Sequence, residues 1–367
     1  MKKRLFSLLL VSALVFTLSG CGEKSLLRES DPVTLNFWHV YGEQSGSPMD
    51  LLVQEFNRTV GQEKGVRVQV TNLSSASKIG GFLKEAQKGG RDAPEMPDLF
   101  TCHISDATAL GSDKLVDWNA RFTAEELSNF VPGFLADGMT EDGTLLLFPI
   151  SKSTQLLMCN GSGFARSLAQ GHVVVSDLYS NTQVMTGDVL SGLGSSAAIL
   201  YYNDTVTYRD GTQEPMDLHV LPMPKTAGAD ALMTQAGVGL CAYKTTDQKA
   251  EAAALFVRWL TESERNLDFV AQTGYMPVRN GAFDAIENYD KFPEPTESYR
   301  QLYAALKIMQ ESYTPLSEPR FEGYYGKVSQ LYDGLRQMQQ KLPARAAAGE
   351  SIDTLAEETW ALLCAIH

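Results

Sequence analysis

The chain has 367 residues, 44% of them hydrophobic and 20% charged, and a formal net charge of −13. That length accommodates two lobes of ordinary domain size, and the acidity argues against nucleic acid, which calls for a basic footprint. It leaves the sign of a local binding site open, because a pocket's own charges can oppose the total. The chain opens with Lys2, Lys3 and Arg4, followed by an apolar stretch from Leu5 to Leu18 and then Ser19-Gly20-Cys21. A basic start, a short apolar core and small residues before a cleavage point predict a secretory signal over residues 1–20. The apolar stretch is shorter than the ~20 residues that a membrane-spanning helix requires. Residues 21–32 then form a polar tether.

The first α/β lobe is expected over 33–150. Val33-Thr34-Leu35-Asn36-Phe37-Trp38 alternates and is rich in strand formers. Residues 49–56 have helical spacing, with Leu52, Val53 and Phe56 on one face. Val66, Val68 and Val70 mark a second strand, residues 77–88 a helix with Ile79, Phe82, Leu83 and Ala86 inward, and 97–101 a short third strand. Strands alternating with helices imply a parallel sheet. Residues 145–148 and 154–159 are expected to be strands crossing to a second α/β lobe over 151–244. That lobe has further strands at 188–193, 218–221 and 237–242. The remainder, 245–367, is helical, at 248–260, 262–272, 298–310, 324–340 and 351–365, and contributes to both lobes and the hinge. Asp247, Ser263 and Ser351 fit helix caps or first turns.

Leu18-Ser19-Gly20-Cys21 resembles a bacterial lipobox. The resemblance implies cleavage before Cys21, acylation of that cysteine with palmitate-type chains, and anchoring at the extracytoplasmic face of the cell membrane. Cys102, Cys159, Cys241 and Cys364 remain, none in Cys-x-x-Cys spacing, so neither a zinc nor a redox motif is expected. Buried free thiols are the default. A site at Cys102-His103 would need a third partner, and none is visible.

Phe37-Trp38-His39, a helix ending Phe56-Asn57, Pro97-Asp98-Leu99, and Ala252 to Leu260 followed by Thr273-Gly274-Tyr275-Met276-Pro277-Val278-Arg279 together resemble the family-1 extracellular solute-binding proteins of ABC importers. The resemblance implies a two-lobed, periplasmic-binding-protein-like α/β fold with a ligand cleft between the lobes. It also implies a monomer with permease subunits and a small polar solute as partners, no cofactor, no metal and no covalent chemistry. Within the family the chain is most similar to binders of glycerol-3-phosphate and glycerophosphodiesters. That likeness implies phosphate contacts at Ser153, Ser195 and Arg320, a backbone N–H donor at Gly237 and a ligand-facing Tyr275. Hydroxyls, a guanidinium and a free N–H suit an anionic oxygen cluster, and a helix from Ser195 through Tyr201 would add its N-terminal dipole.

The sequence departs from that pattern twice. Ala76-Ser77 stands where those binders carry Tyr-Glu, so Ser77 offers a hydroxyl in place of a carboxylate. Gly161-Ser162-Gly163 leads at once to a helix at Phe164, so the second lobe is expected to be shortened and to expose apolar surface. His39 and Tyr41, at a strand's C-terminal end where open α/β sheets place ligands, either face the cleft or pack inside. Trp38 belongs to the core by alternation. Glu43 contacts ligand or is solvated, and Arg320 contacts ligand or pairs with Glu318 or Glu322. Gly237-Val238-Gly239-Leu240-Cys241-Ala242 loosely fits a dinucleotide pattern but is better taken as a strand. An exported hydrolase such as a glycosidase, and a non-transport surface lipoprotein, remain alternatives. The chain has no Gly-x-Ser-x-Gly and no His-Glu-x-x-His.

Overall fold

The computed structural model describes residues 25–42, 47–73, 76–160, 179–225, 228, 230–317, 319–321 and 324–350. In chain order the elements used below are β1 (Val33–His39), α1 (Pro48–Arg58), β2 (Val66–Asn72), α2 (Ala76–Lys88), β3 (Leu99–Cys102), α3 (Ile104–Leu110) and α4 (Pro132–Asp137). They continue with β4 (Gln155–Asn160), β5 (Ser191–Ser195), β6 (Thr205–Thr207), β7 (Gln213–Pro215), β8 (Leu218–Leu221), β9 (Leu232–Gln235) and β10 (Gly239–Ala242). The last are α5 (Asp247–Leu260), α6 (Ser263–Thr273), α7 (Thr296–Ser312), β11 (Thr314–Ser317) and α8 (Tyr324–Ala347).

β1 organises the first lobe. Successive side chains leave a strand on opposite faces. Leu35 and Phe37 enter one apolar cluster with Phe56 and Phe256, while Trp38 enters another with Ile79, Leu83 and Phe100. The sheet is therefore covered on both faces, by α1 and α5 on one side and α2 and α3 on the other. β1 pairs in parallel with β2 and with β3. α1 begins on Ser47, whose Oγ accepts from the Asp50 N–H at 3.3 Å, with Pro48 at its first position. Phe82, expected inward, is 39% exposed, because Ile79 and Leu83 carry the buried face of α2.

Two expected strands are corrected. β10, assigned by sequence to the second lobe, pairs antiparallel with β3 and completes the first sheet in the order β10-β3-β1-β2. Its four residues are all buried, which suits a strand covered on both faces. Residues 145–148 form no strand. They make only isolated bridges, including Phe148 with Leu240, whose backbone groups exchange bonds at 2.9 Å. These residues are buried side by side in the first lobe, so apolar character alone imitated a ladder.

The second lobe holds an antiparallel sheet, β5-β4-β8, and a hairpin, β6–β7. β5 begins three residues and ends two residues later than the expected 188–193. β9 and β11 form a separate parallel pair.

Three passages of chain lie side by side at the hinge. Ser153 and Ala236 exchange backbone hydrogen bonds at 2.9 Å, and the Lys152 N–H donates to the Met276 carbonyl at 3.2 Å. Asn266, fully buried on α6, pins this region. It donates to the Ile150 carbonyl at 2.7 Å and accepts from the Val278 N–H at 3.1 Å. The Gly161-Ser162-Gly163 junction, the helix at Phe164 and the helix over 351–365 lie outside the described residues, as do Cys21 and the leader.

Candidate functional site

Two cavities flank the hinge. The smaller, about 80 Å³, lies between the lobes. Val40, Tyr41, Thr273 and Tyr275 line it on one side, and Ala197, Leu200 and Tyr201 on the other. The larger, about 390 Å³, lies where the first lobe meets the hinge and the C-terminal segment. Lys84, His103 and Asp106 line it from α2 and the start of α3, facing Asp137, Gln235 and Arg320. That volume is in the range of small-molecule sites, roughly 300–1,000 Å³. Ser151 connects the two. Its Oγ lies 3.0 Å from the Tyr41 hydroxyl, and its carbonyl lies 3.8 Å from where a Cβ on Gly237 would stand.

The Tyr41 ring meets Phe269 and Tyr275 edge-on at 5.2 and 6.0 Å, a favoured aromatic geometry. Burial pushes the Tyr41 phenol well above its ordinary value, with Tyr275 adding to the effect, so it stays a protonated donor and acceptor. Gly274 brings the two sides together. Its φ of +68° is left-handed, and a Cβ there would stand 2.7 Å from Ile199 Cγ2 and 2.9 Å from the Ser196 carbonyl. Only glycine permits that approach of the lobes.

The larger cavity has a polar wall built on α4. The Lys152 ammonium pairs with the Asp137 carboxylate, both side chains being largely buried. Arg320 donates to the carbonyls of Met139, Ala136 and Asp137, the last two at 3.2 and 3.1 Å, which meets acceptors that a helix C-terminus leaves open. Across from it, burial raises the Asp106 carboxyl while His103 and Lys84 pull it down.

The sequence-predicted residues divide as follows. Tyr41 and Tyr275 line the small cavity, and Gly237 and Arg320 the large one. Gly237 has φ +112° and no acceptor for its N–H among the described residues. His39 is turned inward: fully buried, its Nδ1 accepts from the Tyr41 N–H at 3.2 Å and its Nε2 donates to Asp50 at 2.8 Å. Both ring nitrogens are thus engaged within the first lobe. Arg320 meets helix carbonyls, and the alternative partners Glu318 and Glu322 lie outside the described residues. Ser153 is buried in the hinge, and Ser195 ends β5. Neither lines either cavity. The helix expected after Ser195 is a six-residue 3-10 turn, Ser196–Tyr201, too short to supply a helix dipole. Ser77 sits in the first turn of α2. Glu43 lies outside the described residues.

Lys84, His103, Asp106, Asp137 and Gln235 were not foreseen as site residues. Each looks like an ordinary polar surface position in sequence, and only the fold brings them together. Cys102 is fully buried, 3.7 Å from the Cys241 sulfur, and burial pushes its thiol up, consistent with a protonated, inert thiol. Among the described residues no group of three or more His, Cys, Asp or Glu is placed to hold a metal ion.

Residues 161–294 match the family model for bacterial extracellular solute-binding proteins. Similar solved structures include the cyclic alpha-maltosyl-1,6-maltose binding protein of Arthrobacter globiformis, at 15% identity and TM-score 0.62, covering 91% of this chain and 99% of that one. UgpB from Mycobacterium tuberculosis in complex with glycerophosphocholine is similar to the same degree, at 15% identity, 91% and 99% coverage and TM-score 0.62. A family-1 extracellular solute-binding protein of Alicyclobacillus acidocaldarius follows at 13% identity, 90% and 97% coverage and TM-score 0.62. At these identities the likeness establishes the two-lobed fold. No curated protein sequence matches the chain.

Proposed function

We propose that this chain, a bacterial extracellular solute-binding protein by fold and family match, is the receptor of an ABC importer, takes up a small hydroxyl-rich solute of the sugar or phosphorylated-glycerol class, and is held at the outer membrane face by lipid on Cys21. The observation that carries the reading is the pair of cavities flanking a three-passage hinge, the larger about 390 Å³ and lined by polar groups from both sides. Ligand between lobes touches both, so its binding energy favours the closed form over the open one. The permease then meets a surface that differs between loaded and empty protein. Tyr41, Tyr201 and Tyr275 offer aromatic faces and hydroxyls to a sugar ring. Lys84 and Arg320 offer positive charge to an anionic substituent, and Arg320 keeps N–H bonds beyond those given to the helix carbonyls. Similar proteins named for maltosyl-maltose and found with glycerophosphocholine span the same two chemistries.

The test is a thermal-shift screen of the mature chain with glycerol-3-phosphate, glycerophosphodiesters and maltodextrins. Ligand that binds only the folded state raises the midpoint by mass action, about 2.7 kcal/mol at a hundredfold excess over Kd. A shift with either class supports the receptor. A cooperative melt with no shift across the panel, or turnover of a compound on incubation, would sink it. Recovery of the full chain in the membrane fraction, with acyl mass on Cys21, checks the anchor.

A further inference from the structure

We infer that residues 25–31 clamp the lipid anchor to the base of the first lobe, so that the membrane grips the receptor at the end opposite its cleft. The inference rests on acylation of Cys21 and adds where on the molecule that anchor acts. The stretch expected to be a polar tether is docked from Ser25 onward. The Glu251 carboxylate on α5 accepts from the Ser25 hydroxyl at 2.6 Å and from the Leu26 N–H at 3.0 Å, one oxygen to each. Ser25 Oγ in turn accepts from the Leu27 N–H at 3.2 Å. The Leu27 side chain packs against the apolar cluster that holds Phe37 and Phe256. Further along, the Arg28 backbone crosses Gly65, where a Cβ would stand 2.2 Å from the Arg28 carbonyl oxygen. The Gln248 amide donates to the Asp31 carbonyl at 3.1 Å, and the Val33 N–H donates to the Gly65 carbonyl at 2.8 Å.

The sheet fixes where this clamp lies. β1 and β2 run parallel with Val33 opposite Val66, so Val33 and Gly65 mark the N-terminal ends of both strands. The cavities lie at the other end, since Val40 and Tyr41 follow directly on β1 and His103 on β3. The seven residues of β1 separate the two ends, about 20 Å at the rise of a strand. Only Gly22, Glu23 and Lys24 stand between Cys21 and Ser25. The clamped lobe is therefore confined to about 14 Å from its acyl chains, whereas a chain free as far as Val33 would reach about 40 Å. Glu251, Gln248 and Gly65 all belong to the first lobe and line neither cavity, so hinge closure does not have to break the clamp. The membrane holds one lobe by its base, the cleft stays clear of lipid, and the second lobe is free to swing.

The lipidated chain, carrying a fluorophore at Gln62 or at Gln213 and reconstituted in phosphatidylcholine vesicles with an acceptor dye at the headgroups, tests this. Gln62 is exposed in the helical turn just before Gly65, and Gln213 is exposed on β7 in the second lobe. Energy transfer should be stronger from Gln62. A Gly-Ser insert of about eight residues after Lys24 roughly triples the reach and should cut that transfer by about half or more. Glu251→Ala combined with Leu27→Ser should move it the same way without lengthening the chain. In detergent, amide exchange at Leu26 should be about 10-fold slower in the wild type than in Glu251→Ala. Equal transfer from Gln62 and Gln213, or no slowing at Leu26, overturns the clamp while leaving the acylation of Cys21 standing. A chain recovered without acyl mass on Cys21 overturns the anchor, and the clamp's role at the membrane with it.

Discussion

The first sheet is covered by helices on both faces, and its central strand residues Leu35 and Phe37 are fully buried. The antiparallel sheet of the second lobe is thinner. Leu193 on β5 and Leu221 on β8 both stand opposite Leu157 of β4, yet they are 53% and 37% exposed. Tyr201 and Tyr179, in the same part of the chain, are 51% and 85% exposed. Among the described residues the second sheet is thus buried on one face, where Leu218 and Val220 are each 5% exposed, and open on the other. Hydrophobic stabilisation scales with area removed from water, at about 25 cal/mol per Å², so a strand covered on both faces gains more than one covered on a single face.

The largest expected effect tests that asymmetry directly. Phe256 is fully buried and meets Phe56 at 5.0 Å and Phe37 at 5.8 Å. Phe256→Ala should cost about 3–5 kcal/mol. Leu193→Ser, on the exposed sheet face, should stay within about 0.5 kcal/mol. Chemical denaturation of both variants checks the contrast, and comparable losses would show that the second lobe carries more of the core than its burial indicates.

An intermediate effect is expected at the contact between the two regions. Gly274→Ala places a side chain in left-handed backbone, costing about 1–2 kcal/mol, and pushes it against Ile199 and the Ser196 carbonyl. Ligand affinity should fall with stability, because the collision lies where the lobes close. Small-angle scattering should show a more open average shape. A variant that loses stability but binds solute normally would place Gly274 outside the closing contact.

The smallest effect is electrostatic and confined to the first lobe. Burial holds His39 below its ordinary value of 6.5, against the opposing pull of Asp50. The unfolded chain therefore takes up this proton at a higher pH than the folded one. Its contribution to stability is whole above pH 6.5 and is lost as pH falls from there through the folded value. The melting midpoint should decline over that window, and His39→Gln should flatten the slope. Asp106 has the opposite sign. Raised above 3.8 by burial, it favours the fold at low pH and loses that contribution as pH rises through its folded value.

The β1–α1–β2–α2–β3 succession was legible because its signals are local. Val66, Val68 and Val70 alternate, and Leu52, Val53 and Phe56 recur at helical spacing, of which the structure buries Val53 and Phe56, with Met49 beside them in place of Leu52. The membership of β10 was not legible. Gly239–Ala242 is the same apolar run whichever sheet it joins, and its partner β3 lies more than a hundred residues upstream. Residues 145–148 misled for a related reason, since burial without pairing has the composition of a strand. In the site, Gly237, Tyr275 and Arg320 were found through the family pattern and Tyr41 through its place at a strand's C-terminal end, and the fold brings each to a cavity. His39 looked identical by position but turns inward, where Asp50 on the next helix, itself partly exposed, pairs with its Nε2.

The sequence by itself determined which segments alternate, where helices begin, the two-lobed class, and an aromatic and glycine signature at 273–275. Only the tertiary structure decided which polar residues are functional candidates. Gln235 meets Gly133 and Ser317, Arg320 meets the end of α4, and Lys152 meets Asp137 across the hinge. Local periodicity records how a residue sits on its own element. The desolvation that turns a glutamine or an aspartate into a site comes from chain segments distant in sequence, and no local pattern encodes their arrival.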